Sequence, residues 1–194
     1  MNAIILASGF SRRMGGNKLL MNIGGELIIE RVIREIKSSN VSKIILVGRD
    51  EKVIDIALKE KIEVVKNNDA IRGQSESIRL GIEKSILEYD FMFFCGDQPF
   101  IDSESINNLI DTSIRNKDKI IIPRVKNFVG SPVIFPNSFK EELELLTGDV
   151  GGREVIKKNN EKLLYVDVKN QLFLQDIDTN DDYMKYIAHK KPTK

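Results

Sequence analysis

Short apolar runs recur along the whole chain and alternate with segments whose apolar residues return every three or four positions. The first run, 3–7 (Ala-Ile-Ile-Leu-Ala), begins almost at the first residue, and similar runs follow at 43–47, 62–66, 91–95, 120–123 and 133–135. Several contain no polar position, as expected of strands buried on both faces beneath helices. Helical spacing marks 27–37, 52–58, 76–86 and 105–114, and Asp102-Ser103 stands where the last of these needs an N-cap. Strand alternating with helix predicts an α/β chain with a mostly parallel sheet and helices on both faces. Past residue 125 the pattern changes. Residues 126–135 read as an extended arm, 140–146 and 153–158 as helices, 163–168 as a strand and 172–174 as strand-like before a terminal helix. No repeat, low-complexity linker or composition break interrupts the 194 residues, which are read as a single domain. The basic stretch 189–194, with Pro192, reads as a frayed tail.

In an open α/β sheet, ligands bind beyond the carboxyl ends of the strands. The chemistry-bearing residues of this chain stand at those places. After the first run come Ser8-Gly9-Phe10-Ser11-Arg12-Arg13-Met14-Gly15-Gly16-Asn17-Lys18. Glycines let a backbone turn its N–H groups toward an anion, and three cations add fixed charge, so the loop suits phosphates. It is not a Walker loop, because the glycine spacing is wrong and Leu19 follows Lys18, nor is it a dinucleotide fingerprint. A surface turn with solvated cations is the competing reading. The apolar run 91–95 ends abruptly in Gly96-Asp97-Gln98-Pro99. A carboxylate there needs a cation, and a magnesium ion bridging Asp97 to a triphosphate satisfies it; an Asx-turn is the alternative. In Asp176-Ile177-Asp178-Thr179, with Asp181 and Asp182 beyond, some groups must cap the terminal helix, and Asp178 is the choice for a second metal ligand. The stretch 67–77 offers amides, hydroxyls and glycine ahead of a helix, fit either to read a nucleobase or simply to cap that helix. The stretch 148–153 is either a close-approach site or a turn between helices.

Composition narrows the field. The net charge of +1 is spread evenly, without the basic stripe of a nucleic-acid binder or the polybasic patch of a membrane-surface protein. One cysteine, Cys95, excludes an intrachain disulfide and a cysteine-cluster zinc site. With His189 the sole histidine, histidine-based acid–base chemistry is disfavoured. No apolar run could span a bilayer, and a strand at the very start leaves no room for a signal peptide, so the expected location is the cytoplasm.

Taken together, these stretches resemble the molybdopterin cytidylyltransferase family, within the nucleotidyltransferases of Rossmann-like, glycosyltransferase-type fold. That family opens with L-A-A-G-x-S-x-R-M-G-x-x-K, matched here by residues 6–18. Asn67, Gly73 and Ser77-Ile78 resemble its N-x-D-…-G-x-x-x-S-L segment. Gly96-Asp97-Gln98-Pro99 matches G-D-Q-P, residues 148–153 match G-D-x-G-x-R, and 176–183 match D-I-D-T-x-x-D-Y. The resemblance implies a three-layer α/β/α fold and transfer of CMP from CTP, or another nucleoside triphosphate, to the terminal phosphate of a molybdopterin-type substrate. It implies Mg2+ as cofactor and a molybdoenzyme as recipient of the product. Lys18, Arg13 and Asp97 would be catalytic, and Asp97 and Asp178 would hold the metal. Leu6, Ala7, Ser8, Gly9, Ser11, Gly15 and Lys18 would bind the nucleotide, with Asn67, Gly73 and Ser77 near base or ribose. Gly130, Ser131, Asp149 and Arg153 would line the pterin side. Two positions depart from the family: Ser8 replaces its second alanine, where related guanylyltransferases have glycine, and Gly130-Ser131-Pro132 replaces its G-H-P. A phosphate monoester is already anionic at neutral pH, so the implied reaction needs no general base, which suits a chain nearly devoid of histidine. Competing readings are a nucleotidyltransferase acting on a sugar phosphate or another acceptor, and a cofactor carrier without catalysis.

Overall fold

The structure, a computed structural model, describes residues 1–11 and 16–188. Arg12, Arg13, Met14 and Gly15 lie outside the described residues, as does the tail expected to fray, 189–194. Strand β1 (Asn2–Ala7) leads into the glycine loop, and the chain returns through a small antiparallel hairpin, β2 (Asn22–Ile23) and β3 (Glu26–Leu27). Helix α1 (Ile28–Lys37) starts where the Glu30 carboxylate accepts from the Leu27 N–H, and it buries Ile28, Ile29, Val32, Ile33 and Ile36. Next come β4 (Lys43–Gly48), α2 (Glu51–Lys59) capped by Asp50, β5 (Glu63–Lys66) and α3 (Gln74–Glu83). They are followed by β6 (Phe91–Cys95) and α4 (Ser103–Arg115), whose N-cap is Asp102, its carboxylate accepting from Ser105 N–H at 2.8 Å. The remainder is β7 (Ile120–Val125), β8 (Phe128–Val129), β9 (Val133–Phe135), α5 (Lys140–Glu144), α6 (Arg153–Lys158), β10 (Leu163–Asp167) and α7 (Asn180–Ala188).

The strand order is β10-β7-β9-β6-β1-β4-β5, with β8 paired to β7. β1 runs parallel to β4 and β6, β5 parallel to β4, and β10 parallel to β7; β9 alone on that path is antiparallel, to both β6 and β7. Side chains alternate across the sheet. Ala3 and Ile5 face a core closed by α1, α2 and α4, whereas Ile4 and Ile45 face a second core closed by α3, α5 and α6. The result is a Rossmann-like α/β/α arrangement. Among the described residues no helix is long and apolar enough to cross a membrane.

Two sequence expectations need correction. The arm at 126–135 is part of the sheet: a turn at 126–127 doubles the chain back as β8, and β9 inserts between β6 and β7 because Val133, Ile134 and Phe135 are all buried. The strand-like 172–174 is a turn, in which Phe173 N–H donates to the Asn170 carbonyl and Gln175 N–H to that of Leu172. Its apolar residues do not share an environment, since Phe173 is wholly buried while Leu172 is exposed.

Candidate active site

Register places the strand ends together. Leu6 pairs with Val47 on one side and Cys95 on the other, so the loops after β1, β4 and β6 leave the sheet along one edge. Gly96 N–H donates to the Leu6 carbonyl at 3.1 Å, and a Cβ at Gly96 would lie 3.3 Å from that oxygen and 3.4 Å from Leu19. Glycine lets the turn carrying Asp97 tuck against β1. A cavity of about 560 Å3 opens at this edge. Leu6 lines it from the end of β1, Ser8, Gly9 and Ser11 from the first loop, and Gly73 and Ser77 from the approach to α3 and its first turns. Lys18, Asp97, Asp149 and Asp178 bring charge to its wall.

Lys18 joins three distant parts of the chain. Its Nζ lies 2.5 Å from Asp97 Oδ2 and 2.5 Å from Asp178 Oδ1. Asn17 sets the lysine by accepting from Leu19 N–H, which starts a short 3-10 turn. The Lys18 side chain is only 13% exposed. Burial disfavours its ammonium, but the charges and hydrogen bonds of Asp97 and Asp178 outweigh that loss and hold it above the ordinary lysine value. Burial also raises the Asp176 carboxyl, helped by the charges of Asp178 and Asp97.

The Lys18 ammonium tests what these carboxylates can hold. Oxygens from the turn after β6 and from the segment before α7 already converge on one cation. Among the described residues no group of three or more His, Cys, Asp or Glu is placed to hold a metal. A pair of carboxylates, with phosphate and water completing the shell, suits a hard divalent cation such as Mg2+. The residues therefore fit a cation shared with a triphosphate.

The remaining expected residues fall into three groups. Ala7 is buried at the end of β1, and Ser8 Oγ donates to the Val47 carbonyl at 3.1 Å, tying the loop to β4. Asn67 is buried behind the cavity; its Nδ2 donates to Ser77 Oγ at 3.0 Å and its Oδ1 accepts from Asp69 N–H at 3.1 Å. The loop 148–152 docks on this same side. The Gly148 carbonyl accepts from Ser75 Oγ at 2.7 Å and Ser75 N–H at 3.3 Å, capping α3. A Cβ at Gly73 would collide with the Gly148 and Asp149 backbone. Asp149, expected on the pterin side, thus shares the cavity of Gly73 and Ser77. Gly130, Ser131 and Arg153 do not line it; Ser131 Oγ accepts from Cys95 Sγ at 3.5 Å, and Arg153 opens α6 on the surface. Arg13 and Gly15 lie outside the described residues.

The sequence reading missed some of the lining. Cys95 reaches the cavity, with burial first and the Asp97 charge second pushing its thiol up to about 11. Phe10 also lines it, with the Arg49 guanidinium 4.2 Å from its ring centroid. An aromatic in a phosphate loop was the available signal for Phe10; for Cys95 only the strand register could reveal it.

The three-layer α/β/α fold thus sets a cation-bridged carboxylate pair at the carboxyl edge of its sheet. The chain belongs to the MobA-like NTP transferase domain family, which it matches over residues 3–163. It is 34% identical over 123 residues to the probable molybdenum cofactor guanylyltransferase of Natranaerobius thermophilus, covering 63% of this chain and 59% of that protein. It is 28% identical over 193 residues to the bifunctional protein GlmU of Streptococcus uberis, covering 95% of this chain and 42% of that one. The chain thus spans about half the length of these curated relatives. Rv0371c from Mycobacterium tuberculosis shares the fold, with a TM-score of 0.83 at 23% identity over 96% of both chains. A complex of Rv0371c with manganese matches with a TM-score of 0.79 at 21% identity, covering 97% of this chain and 98% of that one.

Proposed function

We propose that the chain is a nucleotidyltransferase that moves a nucleoside monophosphate, CMP from CTP in the first reading, onto the terminal phosphate of a molybdopterin-type cofactor. The observation that carries this reading is Lys18 bridging Asp97 and Asp178 at the edge of a cavity large enough for a nucleotide. Membership of the MobA-like family supports the reaction class. The acceptor phosphate oxygen bonds to the α-phosphorus. The bond from that phosphorus to the bridging oxygen breaks, and its electron pair leaves with pyrophosphate. No proton has to be removed, so the residues have to place and neutralise rather than act as a base. Asp97 and Asp178 would hold a divalent cation, Mg2+ in this reading, which when bound neutralises charge on the triphosphate. Lys18 is the cation that the chain itself contributes to the phosphates, and Arg13 and Gly15 are assigned to them as well. Gly9 and Ser11 border the triphosphate, and Asn67, Gly73 and Ser77 the base or ribose. Gly130, Ser131, Asp149 and Arg153 are assigned to the acceptor, Asp149 from the wall of the cavity it shares with Gly73 and Ser77.

A second reading has a specific observation behind it. The guanylyltransferase relative favours GTP as donor with the same acceptor, while Ser8 matches neither the alanine of the cytidylyl family nor the glycine of the guanylyl one. Pyrophosphate release with Mg2+ and molybdenum-loaded pterin cofactor, compared across CTP, GTP, ATP and UTP, separates the two. Release with CTP alone supports the cytidylyl reading and release with GTP the guanylyl one. Silence with all four, while a known enzyme of this kind turns over, overturns the acceptor.

A further inference from the structure

Asp178 stands on backbone that belongs to no helix or strand: residues 175–179 are irregular, as are 96–102, which carry Asp97. Neither carboxylate is aimed by regular secondary structure, and another device must bring the two segments into register. The structure supplies a run of ties between them. Ile177 N–H donates to the Asp97 carbonyl at 3.1 Å. Gln98 Nε2 donates to the Leu174 carbonyl at 3.3 Å. From the other side, Asn170 Nδ2 donates to the Phe100 carbonyl at 2.8 Å and to Asp102 Oδ2 at 2.8 Å. The contacts pair 97 with 177, 98 with 174, and 100 and 102 with 170, so the segments zip together in opposite directions. Ile177 and Phe173, both wholly buried, pin the second segment underneath.

Gln98 is the unexpected member of this set. It is 6% exposed, and its Oε1 is buried with no hydrogen-bond partner among the described residues. An apolar side chain of similar length would fill the same space without desolvating an unpaired acceptor, so stability alone does not account for an amide there. What the amide adds is the donor to Leu174, and with it the placement of the segment that ends in Asp178.

We propose that Gln98 is a positioning residue that sets the Asp178 carboxylate opposite Asp97, with Asn170 closing the same zipper from the other segment. The proposal rests on the reading of Asp97 and Asp178 as the metal-holding pair. Groups that orient metal ligands typically change metal affinity 10–100-fold when removed.

The test is Mn2+ binding to the full chain with a non-hydrolysable α,β-methylene CTP analogue, read from the electron paramagnetic resonance signal of free Mn2+. Gln98→Met should weaken Mn2+ binding by at least ~10-fold while leaving the melting temperature unchanged or higher. In the Asp178→Asn background Gln98→Met should cause no further loss, because its effect runs through Asp178. Asn170→Ala should show the same dependence on Asp178, and it carries the test if Gln98→Met does not fold. Wild-type Mn2+ affinity in both variants, or losses that add in full to that of Asp178→Asn, would overturn the proposal. Unchanged binding in Asp178→Asn itself would instead overturn the metal reading, and the proposal with it.

Discussion

Lys18 sits between Asp97 and Asp178 where a divalent cation would have to approach, so ammonium and metal compete for the same oxygens. Removing the ammonium should therefore tighten metal binding to the free protein even as it damages turnover. Lys18→Met is expected to bind Mn2+ more strongly than wild type without nucleotide, by titration calorimetry, and to release pyrophosphate more slowly; weaker Mn2+ binding would count against the competition. Asp97→Asn is expected to cut turnover by at least ~100-fold, the scale on which a transition-state charge partner acts, with a melting temperature close to wild type. Near-normal metal-dependent turnover in that variant would remove Asp97 from the proposed machinery. Both residues stood out in the sequence as a loop cation and as an acid ending an apolar strand, and the motifs already implied that Asp97 and Asp178 meet. That Lys18 bridges the two carboxylates was not legible, because the three lie on segments separated by most of the chain.

At the scale of elements, close packing and capping set what can be changed. Gly81 lies in α3 against the Ile4 side chain of β1, and an added Cβ would collide with it. Gly81→Val should lower stability by about 1–3 kcal/mol, the usual cost of overpacking. Gly81→Ala should lose less, because alanine regains about 1 kcal/mol of helix propensity. Chemical denaturation measures both. Helix α7 opens with a reciprocal box: Asp182 N–H donates to Thr179 Oγ1 at 3.1 Å, and Thr179 N–H donates to Asp182 Oδ2 at 3.0 Å. Thr179→Ala should cost about 1 kcal/mol, seen as earlier melting of α7 by amide exchange. The Thr179 hydrogen bond holds the Asp182 carboxyl below its ordinary value of 3.8. Its contribution is therefore present above that value and lost as pH falls through the lower folded one. Amide signals of α7 should show fraying at acid pH before the sheet unfolds, and their melting together with the sheet would contradict this. Sequence anticipated that Thr179 or one of the acids would cap this helix. Which acid completes the box, and so which are left for the site, depended on where α7 begins.

For the whole molecule, the site is assembled by the sheet order and not by any one segment. β1 lies between β4 and β6, so three loops meet, and the segment before α7 crosses back to deliver Asp178. A ligand that bridges these parts should stabilise all of them together. At one hundred times its dissociation constant, CTP with Mg2+ should add about 2.7 kcal/mol, a rise in melting temperature of about 5–10 °C for a chain of this size. Differential scanning calorimetry would show the rise in wild type and its loss in Asp97→Asn. An equal rise in both would mean that the nucleotide binds without this carboxylate.

The sequence by itself determined the layers and the chemistry on offer. Short apolar runs alternating with helical spacing read as buried strands covered by helices, and glycine with cations after the first strand suits phosphate. Tertiary structure alone decided the partners. Short-range patterns cannot say that 133–135 inserts antiparallel inside the sheet, that 172–174 is a turn pinned by Phe173, or that the loop of Asp149 docks on α3. Those outcomes depend on which surfaces remain to be buried once the other elements are in place. Gln98 and Asn170 show the same limit: an amide in a loop reads as a polar surface residue until the segment it ties is folded against it.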